Sequence, residues 1–242
     1  MFQFLKNIMN NEENHLTMET NSFHRILKTD IKSEPNTKQD EIIFGCGCFW
    51  GAEKCFWKLP GVFTTSVGYA GGDKNDPTYY EVCSGLTGHS EVVRIIWNKD
   101  EVDISDLLKM FWECHDPTQK NRQGNDVGTQ YRSAIYYKND KNKKIILASK
   151  EQYQKELNKK NLGLIETEIK LINRYFYAEK YHQQYLASAG SRQYCSASPT
   201  KVRLGDFPGS KYKLKDHIWD NFDWQVDKCV LRSDNNPIKN KI

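Results

Sequence analysis

Residues 47–51 read Gly-Cys-Phe-Trp-Gly and follow directly on the apolar run Ile42-Ile43-Phe44. A strand ending there and a helix beginning there would put Cys48 at a helix N-terminus, where unpaired backbone N–H groups favour an anion. A free thiol with a pKa of about 8.5 is only a few per cent ionised near neutral pH, and a depression of roughly two units would make it mostly thiolate. Cys48 is therefore the candidate nucleophile. Two long loops offer partners: Tyr79 in Pro77-Thr78-Tyr79, Glu91 in Gly88-His89-Ser90-Glu91, and Asp126 with Tyr131 in Gly124–Tyr131. If both loops lie at one edge of a sheet, two hydroxyls and two carboxyls converge on one sulfur. By type alone the same residues also suit plainer roles: Glu91 as a rim charge, Asp126 as a turn former, the tyrosines as core. Phe49 fits an apolar helix stripe. Trp50 does not share that face and could wall a pocket for a small apolar group such as a methyl.

The other cysteines divide by context. Cys55 and Cys114 fall within helical patterns and read as inert core thiols, and Cys83 lies in a loop. Cys195 and Cys229 lie in a loop-rich tail, where a thiol can move to meet another, as a resolving cysteine must. Cys46 and Cys48 form a Cys-x-Cys. Zinc could be considered with His89, Cys114 and His115, yet no Cys-x-x-Cys pair or spaced His pair supports it, and no bound metal or cofactor is expected.

Hydrophobic periodicity supplies the elements that must position these groups. Ile42–Phe44 reads as a buried strand, residues 49–59 as a helix stopped by Pro60-Gly61, and Val62–Tyr69 as a second strand. A loop over 70–90 precedes a strand at Glu91–Trp97 and an amphipathic helix through Ile104, Leu107, Leu108, Phe111 and Trp112, with Asp103 as its cap. A second loop, Asp116–Arg132, leads to a strand at Ser133–Tyr137. A charged helix near 140–160 and an alternating strand, Ile165–Leu171, follow. The order is β-α-β-β-α-β. It predicts an α+β two-layer sandwich, a ferredoxin-like split β-α-β core with a mixed sheet, plus a long C-terminal coil.

The chain has 242 residues, 38% apolar and 12% aromatic, and these bounds suit one domain with polar appendages. Residues 1–40 hold six acidic and five basic residues and little periodicity, so a disordered N-terminal extension is expected there. A catalytic domain over 41–196 would follow, then a coil over 197–242 wrapping the domain as a possible redox-relay tail. The remaining charge, 30 basic against 25 acidic, is spread along the chain and excludes a nucleic-acid signature. No secretory h-region follows Met1 and no apolar run reaches membrane-spanning length, which points to the cytoplasm, with the nucleus as an alternative. Seven cysteines without a secretion signal argue for reactive or buried thiols over a disulfide framework. Nothing reads as a coiled coil or dimer surface, and a monomer is expected.

Gly-Cys-Phe-Trp-Gly resembles the active-site signature of the A-type peptide methionine sulfoxide reductases. Gly68-Tyr69-Ala70-Gly71-Gly72, Pro77 through Glu91, His115-Asp116-Pro117-Thr118, Asn121–Ser133 and Tyr181-His182-Gln183-Gln184-Tyr185-Leu186 resemble that family in its order, over roughly 41–196. The resemblance implies reduction of the S epimer of methionine sulfoxide, free or in proteins. It implies Cys48 as sulfur nucleophile, Phe49 and Trp50 as the methyl-binding wall, and Glu91 as the acid that protonates the sulfoxide oxygen. Tyr79 and Tyr131 would bond that oxygen, and Asp126 would help organise the site. Cys48 would emerge as a sulfenic acid, a second thiol would close a disulfide, and thioredoxin, or dithiothreitol in vitro, would reopen it. Cys195 matches the usual resolving position. Many members place glycines around that cysteine and another thiol soon after; here Ser196-Ala197-Ser198-Pro199 follows, with no thiol until Cys229, a possible second recycling cysteine. Cys46 could compete for the sulfenic acid. The competing readings are another thiol oxidoreductase, such as a peroxide reductase, and a redox- or metal-responsive binding protein using Cys46, Cys48 and Cys114.

Overall fold

The structure, a computed structural model, describes residues 22–226 and 229–240. Its centre is a six-stranded sheet whose long strands are β1 (Gln39–Cys46), β2 (Val62–Ala70), β3 (Ser90–Asn98) and β6 (Ser133–Tyr137), edged by β7 (Glu168–Leu171) and β8 (Tyr175–Tyr177). The spatial order is β7-β6-β1-β3-β2-β8. β3 lies antiparallel between β1 and β2, so the strands flanking the first helix run parallel with a third inserted between them. β6 pairs antiparallel with β1, while β7 joins β6 in parallel, and the sheet is mixed. The fold is α+β.

Strand alternation sorts the side chains. Ile42, Phe44, Val93, Ile95 and Ile135 enter the main core, whereas Ile43, Val92, Ala134 and Tyr136 form a smaller cluster on the other face. The main core is closed by helices α1 (Phe49–Trp57) and α3 (Ile104–Cys114), with α4 (Lys143–Lys159) packed against α3. Asp103 caps α3 as its sequence requires: its Oδ1 accepts from Ser105 N at 2.9 Å, and Asp106 Oδ2 accepts from Asp103 N at 3.0 Å. Such a reciprocal box contributes about 1 kcal/mol.

Three expectations need correction. The loop over 70–90 contains a short helix, α2 (Tyr79–Cys83), closed by a capping box between Thr78 and Glu81. The loop over 116–132 contains a small hairpin of β4 (Arg122–Gln123) and β5 (Asp126–Val127). Disorder over 1–40 fails for 22–40: His24 is fully buried, Ile31 is buried, and β1 begins at Gln39. His24 Nδ1 accepts from Ile26 N and Leu27 N, so its proton is on Nε2, which donates to Thr65 Oγ1 at 2.9 Å. The remainder of that expected extension, residues 1–21, lies outside the described residues.

The tail covers α1. Lys54 Nζ donates to Ser233 O at 2.8 Å, Lys58 Nζ reaches Asp234 Oδ1 at 3.1 Å, and Trp57 Nε1 donates to Asn235 O at 3.0 Å. Between Ala197 and Trp224 the chain has one short helix, α5 (Asp216–Trp219), and seats Val202, Leu204, Phe207, Ile218 and Trp224 in the core. A last short helix, α6 (Cys229–Arg232), follows. Among the described residues no helix is long and apolar enough to cross a membrane.

Candidate active site

The turn from β1 into α1 sets the nucleophile. Gly47 has φ +86°, a left-handed conformation that a side chain would strain, and a Cβ there would lie 2.5 Å from Gln123 Cβ. Cys48 then stands at the N-cap of α1 with its thiol buried, 9% exposed. The expected thiolate is not the resting state. Burial first, and the charge of Glu91 second, raise the Cys48 thiol well above its ordinary pKa, and the backbone N–H of Trp50 opposes them without prevailing. The helix terminus acts in the expected direction; desolvation is the larger effect.

Glu91 enters from β3, opposite Tyr69 of β2. It is buried, and Phe49 N donates to its Oε2 at 3.1 Å, which holds the carboxyl one residue from Cys48. Burial, aided by the charges of Asp126 and Glu179, pushes its pKa up to about 8 against the pull of that N–H. At neutral pH it is a carboxylic acid with a proton to give.

The two loops do meet. Tyr79 begins α2, and its hydroxyl and that of Tyr131 both feel Glu91 and Cys83; Tyr131 also feels Cys48 and Asp126. Burial raises both phenols well above their usual pKa, so each is a protonated donor. Asp126 accepts a short hydrogen bond from Tyr194 on Oδ1, leaving Oδ2 buried without a partner among the described residues. Of the sequence-selected residues, Cys48, Glu91, Tyr79, Tyr131 and Asp126 form one electrostatically coupled group.

The aromatic wall is larger than the sequence indicated. Phe49 is buried with its ring 6.0 Å from Tyr69 and 5.1 Å from His182. Trp50 stacks on Tyr185 at 3.9 Å, meets Tyr194 edge-on at 6.5 Å, and donates Nε1–H to His182 Nδ1 at 3.1 Å. His182 is therefore the Nε2–H tautomer, buried and neutral, its pKa lowered to about 3 by desolvation. Its ring also lies 4.5 Å from that of Tyr79. Glu179 accepts from Tyr79 N and Tyr69 O–H, both at 2.8 Å. Sequence reasoning assigned no role to His182, Glu179, Tyr185 or Tyr194; the run Tyr181–Leu186 was the available signal for two of them.

Cys195 lies buried against α1, where a Cβ built on Gly51 would sit 2.5 Å from its Sγ. It is close enough to Cys48 for the two thiols to interact electrostatically. Cys46 faces the main core instead, its sulfur within 4.8 Å of that of Cys114. Cys229 opens α6; its side chain lies outside the described residues.

Residues 40–207 match the family model described as peptide methionine sulfoxide reductase. The chain belongs to the peptide methionine sulfoxide reductase family. It is similar to the MsrA enzyme of Vibrio vulnificus, 50% identical over 202 residues that cover 81% of this chain and 96% of that one. The Azotobacter vinelandii MsrA is 55% identical over 164 residues, 68% of this chain and 76% of its own. Among solved structures, methionine sulfoxide reductase A of Corynebacterium diphtheriae superposes with a TM-score of 0.64 at 41% identity, covering 75% of this chain and 88% of that one. The reductase is thus an oxidoreductase acting on methionine sulfoxide, and its mixed sheet with flanking helices is the architecture of such neighbours.

Proposed function

We propose that the enzyme reduces the S epimer of methionine sulfoxide, free or within proteins, through Cys48. The observation that carries this reading is the buried Glu91 carboxyl, tethered to Phe49 N beside the Cys48 thiol, where burial favours its acid form. Sulfoxide oxygen is a poor leaving group until it is protonated. Glu91 gives it that proton while the hydroxyls of Tyr79 and Tyr131 donate to it, and the Cys48 thiol attacks the polarised sulfur and returns its own proton to the Glu91 carboxylate. Asp126, fixed by Tyr194, orients this side of the site. Phe49 and Trp50 hold the S-methyl group, with His182 and Tyr185 fixing the indole. Thiol and sulfoxide become sulfenic acid and sulfide, so oxygen passes from substrate to Cys48 with no external electron. Cys195 then attacks the sulfenic sulfur, water leaves, and a Cys48–Cys195 disulfide forms.

An external dithiol of the thioredoxin class takes up that disulfide, and dithiothreitol replaces it in vitro; no bound cofactor enters the chemistry. The strand order supports a ferredoxin-like split β-α-β core over 41–196, and the described residues beyond 196 wrap it with two short helices between irregular segments. The enzyme works as a monomer, without nucleic acid. A cytoplasmic location is part of the same proposal. A peroxide reductase would have no use for the aromatic wall beside the thiol.

The test is a burst assay without reductant. Wild-type protein and Cys195→Ser should each release about one methionine per chain, and Cys48→Ser none. Turnover by Cys48→Ser would overturn the mechanism. Sustained thioredoxin-driven turnover by Cys195→Ser would move the resolving role to another thiol.

A further inference from the structure

Beneath the catalytic helix, three elements bring a second set of sulfur and nitrogen atoms together. Cys46 ends β1, Cys114 ends α3 and His115 follows it, and Cys55 of α1 lies beside Cys114. The ligand atoms of Cys46, Cys114 and His115 all lie within 4.8 Å of one another. Cys114 Sγ is 4.0 Å from His115 Nδ1, and the Cys114 thiol is close enough to Cys46 and Cys55 to interact with both. All four residues are at most 3% exposed.

We propose that Cys46, Cys55, Cys114 and His115 form a structural metal site for a soft divalent ion of the zinc class. Three thiolates and one imidazole are a complete tetrahedral set, with metal–sulfur distances of about 2.3 Å and metal–nitrogen distances of about 2.0–2.1 Å. Atoms in such a tetrahedron stand roughly 3.5–3.8 Å apart, so Cys46, Cys114 and His115 close by up to about 1 Å on loading, and Cys55, the neighbour of Cys114, moves further to join them. The outer partners are in place: His115 Nε2 lies 2.8 Å from Ser133 Oγ, which lies 2.8 Å from Thr167 Oγ1. A ligating histidine is characteristically fixed through its second nitrogen in this way.

On loading, Nδ1 exchanges its contact with Phe111 O, now 2.7 Å, for the metal. The ring proton moves to Nε2 and donates to Ser133. Three thiol protons are released, and the bound dication leaves the site with one net negative charge. His89, the other histidine the sequence offered, is not part of the set; Gly72 N donates to its Nδ1, and its Nε2 lies 2.7 Å from Lys74 O. With no open position the ion takes no part in the sulfoxide reaction. It ties the end of β1, two residues before Cys48, to the end of α3. It also withholds three neighbouring thiols from the sulfenic acid and disulfide formed beside them.

The test is titration of the reduced full-length protein with Cd²⁺ and Co²⁺. One equivalent of Cd²⁺ should give thiolate charge-transfer absorbance, and Co²⁺ the visible bands of a tetrahedral sulfur-rich site. Cys46→Ala and Cys114→Ala, each checked for folding by circular dichroism, should weaken binding at least about tenfold, and Cys48→Ser with Cys195→Ser should leave it intact. The ¹¹³Cd resonance of the wild-type protein needs no variant and should fall where three sulfurs and one nitrogen place it. No thiolate band at one equivalent would overturn the proposal. So would a band lost with Cys48 and Cys195 but kept without Cys46 and Cys114, or an oxygen-rich ¹¹³Cd shift.

Discussion

Gly51 and Cys195 are in contact through the space a side chain would fill: a Cβ on Gly51 would stand 2.5 Å from the Cys195 sulfur. The glycine that closes the Gly-Cys-Phe-Trp-Gly signature, one helical turn along α1 from Cys48, thus makes room for the second thiol. Gly51→Ala should displace Cys195 while leaving Cys48 and Glu91 in place. Methionine release in the first turnover should stay within about threefold of wild type, and disulfide closure should slow at least tenfold, about 1.4 kcal/mol in barrier. Quench-flow counting of free thiols after a single turnover measures both steps. Equal slowing of the two would show that the glycine serves the helix and not the resolving thiol.

Glu91 predicts a pH dependence with a defined sign. Its pKa is raised to about 8, so the acid form prevails below that pH and is lost above it. The single-turnover rate should carry a descending limb near pH 8. Glu91→Gln should slow the step at least about a hundredfold and abolish that limb. A limb that persists in Glu91→Gln belongs to another group.

A second buried carboxyl governs stability. Glu53 of α1 accepts from Gln184 N, Gln184 Nε2 and Thr65 Oγ1, and burial still raises its pKa from 4.5 to about 7. Folded protein binds this proton more tightly than unfolded chain, so stability declines as pH rises from about 4.5 to 7, by roughly 3 kcal/mol for this group. Denaturant melts of wild type and Glu53→Gln across that range should show a shallower decline in the variant. His24 works in the opposite direction. Its pKa is lowered to about 3, and its contribution is lost as pH falls from 6.5 towards 3.

The indole wall makes a prediction about substrate binding. Trp50 is held by a stack on Tyr185 and a bond to His182. Removing the stack in Tyr185→Ala forfeits about 0.5–1.5 kcal/mol, a two- to tenfold loss in kcat/KM. His182→Ala should cost at least as much, since it also frees the indole N–H. Steady-state kinetics on a blocked sulfoxide would detect either change, and unaltered kcat/KM in both would remove the wall from substrate recognition.

What the sequence disclosed follows the range of the forces involved. The strands and long helices were legible because their apolar period is local, and Asp103 because a cap acts within three residues. α2 was hidden since only Val82 of its five residues is buried, too little to make a stripe. Residues 22–38 are polar in composition and are held by distant partners such as Thr65 and Phe63 O. The Cys48 thiol inverted its expected pKa for the same reason: the helix N-terminus is readable beside it, while the burial that outweighs it comes from segments far along the chain. His182 and Glu179 act through contacts with α1 and α2 more than ninety residues away.

The most direct test of the central claim is methionine formation from the separated S and R epimers of a blocked methionine sulfoxide, with dithiothreitol as reductant. Reduction of the S epimer alone is the predicted result. Reduction of the R epimer at a comparable rate, or of neither by folded and reduced protein, would contradict the assignment of Cys48, Glu91 and the aromatic wall.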